Sequence, residues 1–146
     1  MTRYLLDTNV LVYLHDGADH RRRHRARDVL VQVGAAQSAA LTAQVLGEFA
    51  SVALRKLQPP LHPSAVLKQV ERLRRRFPVH PITSAVVEEA LRGVQRHKLG
   101  LWDAQLWASA RLHQIAVILS EDVHPGSLDG VSWVDPFDPD LDPAAL

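Results

Sequence analysis

Four carboxylates in this chain follow strands or lie in the early turns of helices and could act together: Asp7, Glu48, Asp103 and Asp122. Asp7 interrupts the apolar stretch YLLDTNVLVYLHDG (Tyr4 to Gly17), between two segments that both favour burial. Two readings of it are open: a cap on the following short helix, or a group placed to hold a ligand. Asp122, in SEDVHPG, comes within two residues of the apolar run IAVILS and also reads as a loop residue before a Pro-Gly turn. Asp103 lies in LWDAQLWASARL, with Leu106, Trp107 and Ala110 at i+3, i+4 and i+7. On a helical wheel these fall within about 60° either side of it, so the carboxylate occupies the middle of an apolar stripe. An ionised acid there is costly unless it is paired, hydrogen-bonded or bound to a cation. The competing reading is a first-turn aspartate satisfied by backbone N–H groups and the helix dipole. Glu48, in TAQVLGEFASVALRKL, stands about 60° beyond an arc formed by Val45, Leu46, Phe49, Ala50 and Ala53. A glutamate at that boundary is either solvated or leans over a sheet edge.

Taken together, the four have a shared chemistry. Gathered in one place they repel, and each disfavours ionisation of the others. A hard divalent cation relieves the repulsion, and Mg2+ or Mn2+ prefers oxygen ligands. Such ions suit phosphoryl chemistry: they polarise the phosphate, activate water and stabilise the leaving oxygen.

The elements that must position these groups follow from apolar periodicity. Strands are expected at Tyr4 to Leu6, Ser38 to Thr42, within FPVHPIT, at Ile115 to Ser120 and at Val131 to Val134. The two prolines of FPVHPIT favour an edge strand. Helices are expected over Val10 to His15, His20 to Gly34 with Gly34 as a stop, Ala43 to Lys56, Ser64 to Arg76, Ser84 to Lys98 and Asp103 to Gln114. Strands separated by helices require crossover connections, which predicts a three-layer α/β/α domain with a central parallel sheet of about five strands. Ligands in such folds bind beyond the carboxyl ends of the strands, where strand order reverses. If the strands preceding Asp7 and Asp122 are neighbours, both carboxylates emerge on one edge. Residues 1–137 are read as the domain and residues 138–146, acidic and proline-containing, as a loose tail.

Composition narrows the function further. With 146 residues, 47% hydrophobic and 23% charged, the chain can form one domain with a substantial core. The absence of cysteine excludes disulfides, thiolate metal sites and cysteine nucleophiles. No apolar run approaches the roughly 18 residues of a membrane span, and the N-terminus does not read as a signal peptide, so a cytoplasmic protein is expected. All 17 Lys and Arg residues lie in positions 1–111 with nine acids, a net of +8, while positions 112–146 carry seven acids and neither Lys nor Arg. A basic body attracts polyanions such as nucleic acid, although solvated helix faces give the same pattern. Arg21, Arg22, Arg23 and Arg25 in HRRRHRAR are candidate RNA contacts on the first reading and the wet face of an amphipathic helix on the second. His20 and His24, at i and i+4, have transition-metal spacing, but the surrounding arginines oppose a metal ion. Trp102, Trp107 and Trp133 are expected in the core rather than as base-stacking platforms.

The ordered set LLDTNVLVY, LTAQVLGEF, LWDAQLWASA and ILSEDVHPG, closed by VSWVDPF, resembles the PIN-domain ribonucleases, specifically toxins of the VapC type. The resemblance covers nearly the whole chain and rests on the order of the motifs, since no single one is specific. It implies that Asp7, Glu48, Asp103 and Asp122 bind one or two Mg2+ or Mn2+ ions. Thr8 and Asn9 match the family's DTN or DSN triplet, and Ser120 matches the Ser or Thr before the fourth acid. The implied reaction is endonucleolytic cleavage of RNA by metal-activated water, leaving 5′-phosphate and 3′-hydroxyl ends. The implied partners are an RNA substrate, a cognate VapB-like antitoxin whose segment fills the active groove, and a second copy in a homodimer. Asp135 departs from the Asn common before the final proline, and Glu121 adds an acid beside Asp122 as an extra ligand or a bystander. An aspartate-nucleophile phosphatase requires a second Asp where this chain has Asn9, and no Gly-rich phosphate loop is present. The alternative kept open is a non-catalytic RNA-binding or interaction module on the same fold.

Overall fold

The computed structural model describes all 146 residues. Its elements in chain order are β1 (Tyr4–Leu6), α1 (Thr8–Tyr13), α2 (His20–Ala35), β2 (Ala39–Thr42), α3 (Ala43–Arg55), α4 (Pro63–Arg76), β3 (Val79–His80), α5 (Ser84–His97), α6 (Leu101–Leu112), β4 (Val117–Leu119), β5 (Ser127–Leu128) and β6 (Val131–Val134). The six strands form one sheet in the order β3-β2-β1-β4-β6-β5. Five of them run parallel; only β5 is antiparallel, closing a hairpin with β6 at the sheet edge. That two-residue strand is the one strand the apolar pattern did not foretell. Proline-flanked β3 takes the opposite edge.

The central strands are buried on both faces. Consecutive residues of a strand point to opposite sides, yet Leu5, Leu6, Ala39, Ala40, Leu41, Ile118 and Leu119 are all almost inaccessible. Helices therefore cover both surfaces, as an all-apolar parallel strand requires. The chain fills one half of the sheet through β1, β2 and β3, then crosses to the far side of β1 to lay down β4. β1 and β4 are thus the neighbours at which strand order reverses, with Leu5 opposite Ile118 and Leu6 opposite Leu119.

Local chemistry accounts for most helix boundaries. The side chains of Asp7, Asp19, Thr42, His62 and Thr83 each accept a backbone N–H at a helix start. Gly34 does not stop α2, which runs on to Ala35 before Gln37 turns into the left-handed region at φ 51°. Its missing side chain instead admits the Arg76 guanidinium, which occupies the space a Cβ would need. Gly93 plays the same part between α5 and α6: a Cβ there would meet the Trp107 ring at 2.7 Å. Trp107 is fully buried and donates its indole N–H to the Leu128 carbonyl at 2.9 Å, tying α6 to β5.

The C-terminal segment is docked rather than loose. Phe137 is buried and stacks edge-on against Tyr13, with ring centroids 5.0 Å apart. Arg25 donates to the Leu141 and Asp138 carbonyls at 2.8 and 3.3 Å, and a short 3-10 turn at Pro143–Ala145 packs beside α2. No helix is long and apolar enough to cross a membrane.

Candidate active site

The connection between β1 and α1 has no room for a loop. Asp7 leaves β1 in extended conformation, its N–H still bonded to the Leu119 carbonyl at 3.0 Å, and Thr8 begins the helix. The Asp7 side chain therefore emerges beyond the carboxyl end of the sheet at the β1/β4 switch point. One carboxylate oxygen accepts the Thr8 N–H at 2.7 Å and the other accepts the Ser120 hydroxyl at 2.7 Å. Asp7 thus caps α1, the first of its two readings, and it also lines a cavity.

Ser120, immediately after β4 and fully buried, organises the neighbourhood. Its hydroxyl donates to Asp7 and accepts from Asn9 Nδ2 at 3.1 Å and from the Asp122 N–H at 3.0 Å. One donor and two acceptors exhaust what a serine hydroxyl offers. Asn9 returns through its carbonyl oxygen to the Glu121 N–H at 3.2 Å, so α1 and the segment after β4 are laced together. Thr8 turns the other way and donates to Glu48 Oε2 at 2.8 Å.

Glu48, in the second turn of α3, is held on its other oxygen by Gln44 Nε2 at 2.7 Å. Gln44 also donates to the Trp102 carbonyl at 3.2 Å and accepts from Gln105 at 2.7 Å, which locks α3 to the start of α6. Asp103 lies in the first turn of α6, whose N-cap Gly100 supplies no side chain. The carboxylate accepts from His124 Nε2 at 3.2 Å, and His124 rests edge-on against Trp133 with centroids 4.8 Å apart.

Asp7, Glu48, Asp103 and Asp122 line a single open cavity of about 430 Å3, together with Thr8 and Asn9. Asp16 lines it too, a fifth carboxylate that the sequence reading did not single out. Gln44 and His124 were also missed. Gln44 lies one turn before Glu48, a spacing that signals a helical side-chain pair; His124 carries no comparable local signal.

Electrostatically the cavity is unbalanced. Burial pushes the Asp7 carboxyl above its ordinary range; the Ser120 and Thr8 bonds restrain it, and the charges of Asp103 and Glu48 push it further up. No lysine or arginine pairs with any of the four acids, although the chain carries 17 such residues. An all-oxygen, uncompensated donor set fits a hard divalent cation. No three acidic or imidazole groups are gathered tightly enough to enclose an ion by themselves. Mg2+ ordinarily binds through one or two carboxylates, several waters and substrate phosphate oxygens, so an open set of this kind is compatible with it.

The neighbouring groups divide clearly. Glu121 turns away from the cavity and accepts from Tyr13 at 2.9 Å and Arg22 at 2.7 Å. Burial and that bond together raise the Tyr13 hydroxyl above its ordinary pKa. Arg22 is further tied to Asp19, and Arg25 to the C-terminal carbonyls. Arg21 reaches only the Phe137 carbonyl at 3.4 Å and is exposed, as is Arg23. His20 and His24 are exposed and gather no third ligand. Of the three tryptophans, Trp107 and Trp133 are buried as expected, but Trp102 is 64% exposed. In the first turn of α6, Asp103 faces the cavity and Ala104 the core, which leaves the preceding residue pointing to solvent.

Comparison with solved structures finds the same architecture repeatedly. A sarcin–ricin loop cleaving VapC toxin of Mycobacterium tuberculosis matches with a TM-score of 0.64 at 23% identity, over 82% of this chain and 89% of that one. A DNA-bound VapBC structure from Salmonella typhimurium matches with a TM-score of 0.63 at 17% identity, over 93% and 99% of the two chains. A toxin–antitoxin complex from Klebsiella pneumoniae matches with a TM-score of 0.60 at 23% identity, over 91% and 97%. No curated protein sequence gives a match. These likenesses establish the fold; a sequence-family match goes further. The PIN domain model aligns with residues 4–129, a span that begins at β1, ends just past β5 and contains all four cavity acids. With that span covered, the chain belongs to the PIN domain family.

Proposed function

We propose that the protein is a VapC-type toxin, a Mg2+- or Mn2+-dependent endoribonuclease silenced by a cognate VapB-like antitoxin. The observation that carries this reading is the cavity at the β1/β4 switch point, lined by four carboxylates that no lysine or arginine pairs with. A binding module gains nothing from such repulsion, whereas a metal-dependent nuclease uses it. The toxin–antitoxin complexes among the structural likenesses support the antitoxin, and the sarcin–ricin loop cleaving toxin supports RNA as substrate.

In this reading Asp7, Asp103, Asp122 and Glu48 hold the cation. Bound there, such an ion would supply Lewis-acid polarisation of a phosphate and a more acidic water as nucleophile. The chain's own part is positioning. Ser120 fixes Asp7 and the backbone of Asp122 through one hydroxyl, while Thr8 and Gln44 fix Glu48 from opposite sides. Asn9 holds the segment after β4 against α1, so that the acid from the loop and the acid from the strand keep their spacing. His124 occupies one Asp103 oxygen and leaves the other available. Backbone contact with RNA falls to Arg21 and Arg23, which are exposed, rather than to Arg22 and Arg25, which are engaged within the protein. A homodimer would place two such cavities in one particle.

The test is incubation of purified protein with single-stranded RNA in Mg2+, in Mn2+ and in EDTA, followed by mapping of the ends. The expected result is cleavage in either metal, none in EDTA, and products with 5′-phosphate and 3′-hydroxyl termini. Asp103→Asn should lower the cleavage rate by at least about a hundredfold while the fold is retained, as expected when a group aimed at the transition state is removed. Tight RNA binding without metal-dependent cleavage would instead favour the non-catalytic module.

A further inference from the structure

Trp102 presents a large aromatic surface beside the acids instead of entering the core. It forms one wall of a second cavity, of about 450 Å3, whose other walls are Gln44, Gly47, Glu48 and Ser51 from one face of α3. Glu48 lines both this cavity and the acidic one, so the two adjoin at its side chain. Gly47 leaves the floor open: a Cβ there would meet nothing within 4 Å.

We propose that this groove is a nucleobase-stacking subsite, in which the Trp102 indole receives a base of the RNA whose phosphate lies over the acids. The inference rests on the ribonuclease reading of that acidic cavity. Three features select a base over an aliphatic side chain as the occupant. The groove adjoins, through Glu48, the site to which the sugar–phosphate chain is assigned. Most of its accessible lining is apolar, while the side chains around the indole end in amide, hydroxyl and carboxylate, which suits a flat heterocycle with an apolar face and wet edges better than an aliphatic group needing a dry enclosure. The Gln44 amide is spent on Glu48, the Trp102 carbonyl and Gln105, so it has little left with which to read a base edge. Recognition through a π-face alone is tolerant of base identity, and the subsite positions the strand more than it selects sequence.

The experiment uses the full chain with Ca2+ in place of Mg2+, the RNA being recovered intact after each measurement. A labelled single-stranded RNA of mixed sequence is compared with an abasic ribose–phosphate chain of equal length. Wild-type protein should bind the RNA about tenfold more tightly than the abasic chain, as expected for one base–aromatic stack. Trp102→Ala should lose that preference and Trp102→Phe should keep most of it, with unchanged melting temperatures in both. RNA, but not the abasic chain, should also quench tryptophan emission, a signal assignable to Trp102 because Trp107 and Trp133 are buried. Equal RNA affinity in wild type and Trp102→Ala overturns the proposal. So does a Trp102→Ala variant that keeps its RNA affinity but loses self-association or antitoxin binding, since the ring would then belong to a protein interface. A wild type that cleaves RNA with Mg2+ while Trp102→Ala binds and cleaves identically refutes the subsite alone. A wild type that shows the base-dependent quench yet never cleaves refutes the ribonuclease reading and leaves the subsite standing.

Discussion

Replacing Asp7 by Asn separates the cost of the acidic cavity from its use. Asn keeps an oxygen for the Thr8 N–H, but its Nδ2 faces a Ser120 hydroxyl whose two acceptor sites are already filled by Asn9 and Asp122, so the Ser120 bond is lost. What also disappears is a charge that burial disfavours and that Asp103 and Glu48 disfavour further. Because the folded carboxyl holds its proton more tightly than the ordinary 3.8, ionisation weakens the metal-free fold. That contribution to stability is complete below 3.8 and is lost as pH rises through the higher folded value. At neutral pH in EDTA the relief of that charge should outweigh the lost Ser120 bond and leave the Asn variant more stable, by about 1 kcal/mol net. For a chain of 146 residues the unfolding entropy is about 0.3 kcal/mol/K, so 1 kcal/mol corresponds to about 3 °C in Tm. Mg2+ should reverse the order. At a concentration about 100 times its dissociation constant it adds about 2.7 kcal/mol to the wild type, or about 9 °C. If the variant binds about a hundredfold more weakly, the same Mg2+ adds about 0.4 kcal/mol, or about 1 °C. Thermal melts of both proteins in EDTA and in Mg2+ should cross. A variant less stable in EDTA would refute the burial argument, and equal Mg2+ shifts would remove Asp7 from the ligand set.

Three further outcomes follow from particular contacts. Ser120→Ala strips a donor from Asp7 and leaves the Asn9 amide and the Asp122 N–H without their acceptor; it should cost about 1–3 kcal/mol in denaturant melts and lower cleavage by a larger factor than Ser120→Thr. Gly93→Ala forces a methyl group against the buried Trp107 ring and should cost about 1–3 kcal/mol by overpacking, measured as a fall in urea midpoint with unchanged slope. Burial pushes the Glu89 carboxyl up, but the Arg92 bond and the charges of Arg111 and Arg96 outweigh it, so its pKa is held below 4.5. Its stabilising contribution is present above 4.5 and lost as pH falls through the lower folded value, so Glu89→Gln should flatten the acid limb of Tm against pH.

The sheet was legible because its central strands are buried on both sides and leave uninterrupted apolar runs such as IAVILS. β5 was not, because two residues pinned by a turn and by the Trp107 indole carry no periodicity of their own. Asp103 announced itself by standing in the middle of an apolar stripe, and Asp7 by splitting two buried segments; both line the cavity. The arginine run was ambiguous in sequence because charge does not disclose its partner. Arg22 and Arg25 find theirs across 99 and 116 residues, at Glu121 and Leu141. The same distance hid the docking of the C-terminal residues onto α2. Trp102 was misjudged for a local reason: tryptophan is usually interior, but helix phase at the first turn of α6 overrode that preference.

The pairing of Leu6 with Leu119 has a kinetic corollary. Asp7 and Ser120 are each the next residue after a strand in the middle of the sheet, whose amides exchange only when much of the domain opens. Deuterium uptake at these two positions should therefore be among the slowest in the protein. Asp122, two residues farther along an exposed turn, should exchange orders of magnitude faster. The strand side of the acidic cavity is thus as rigid as the fold itself, and the loop side is as rigid as the Ser120 and Asn9 bonds that tie it there.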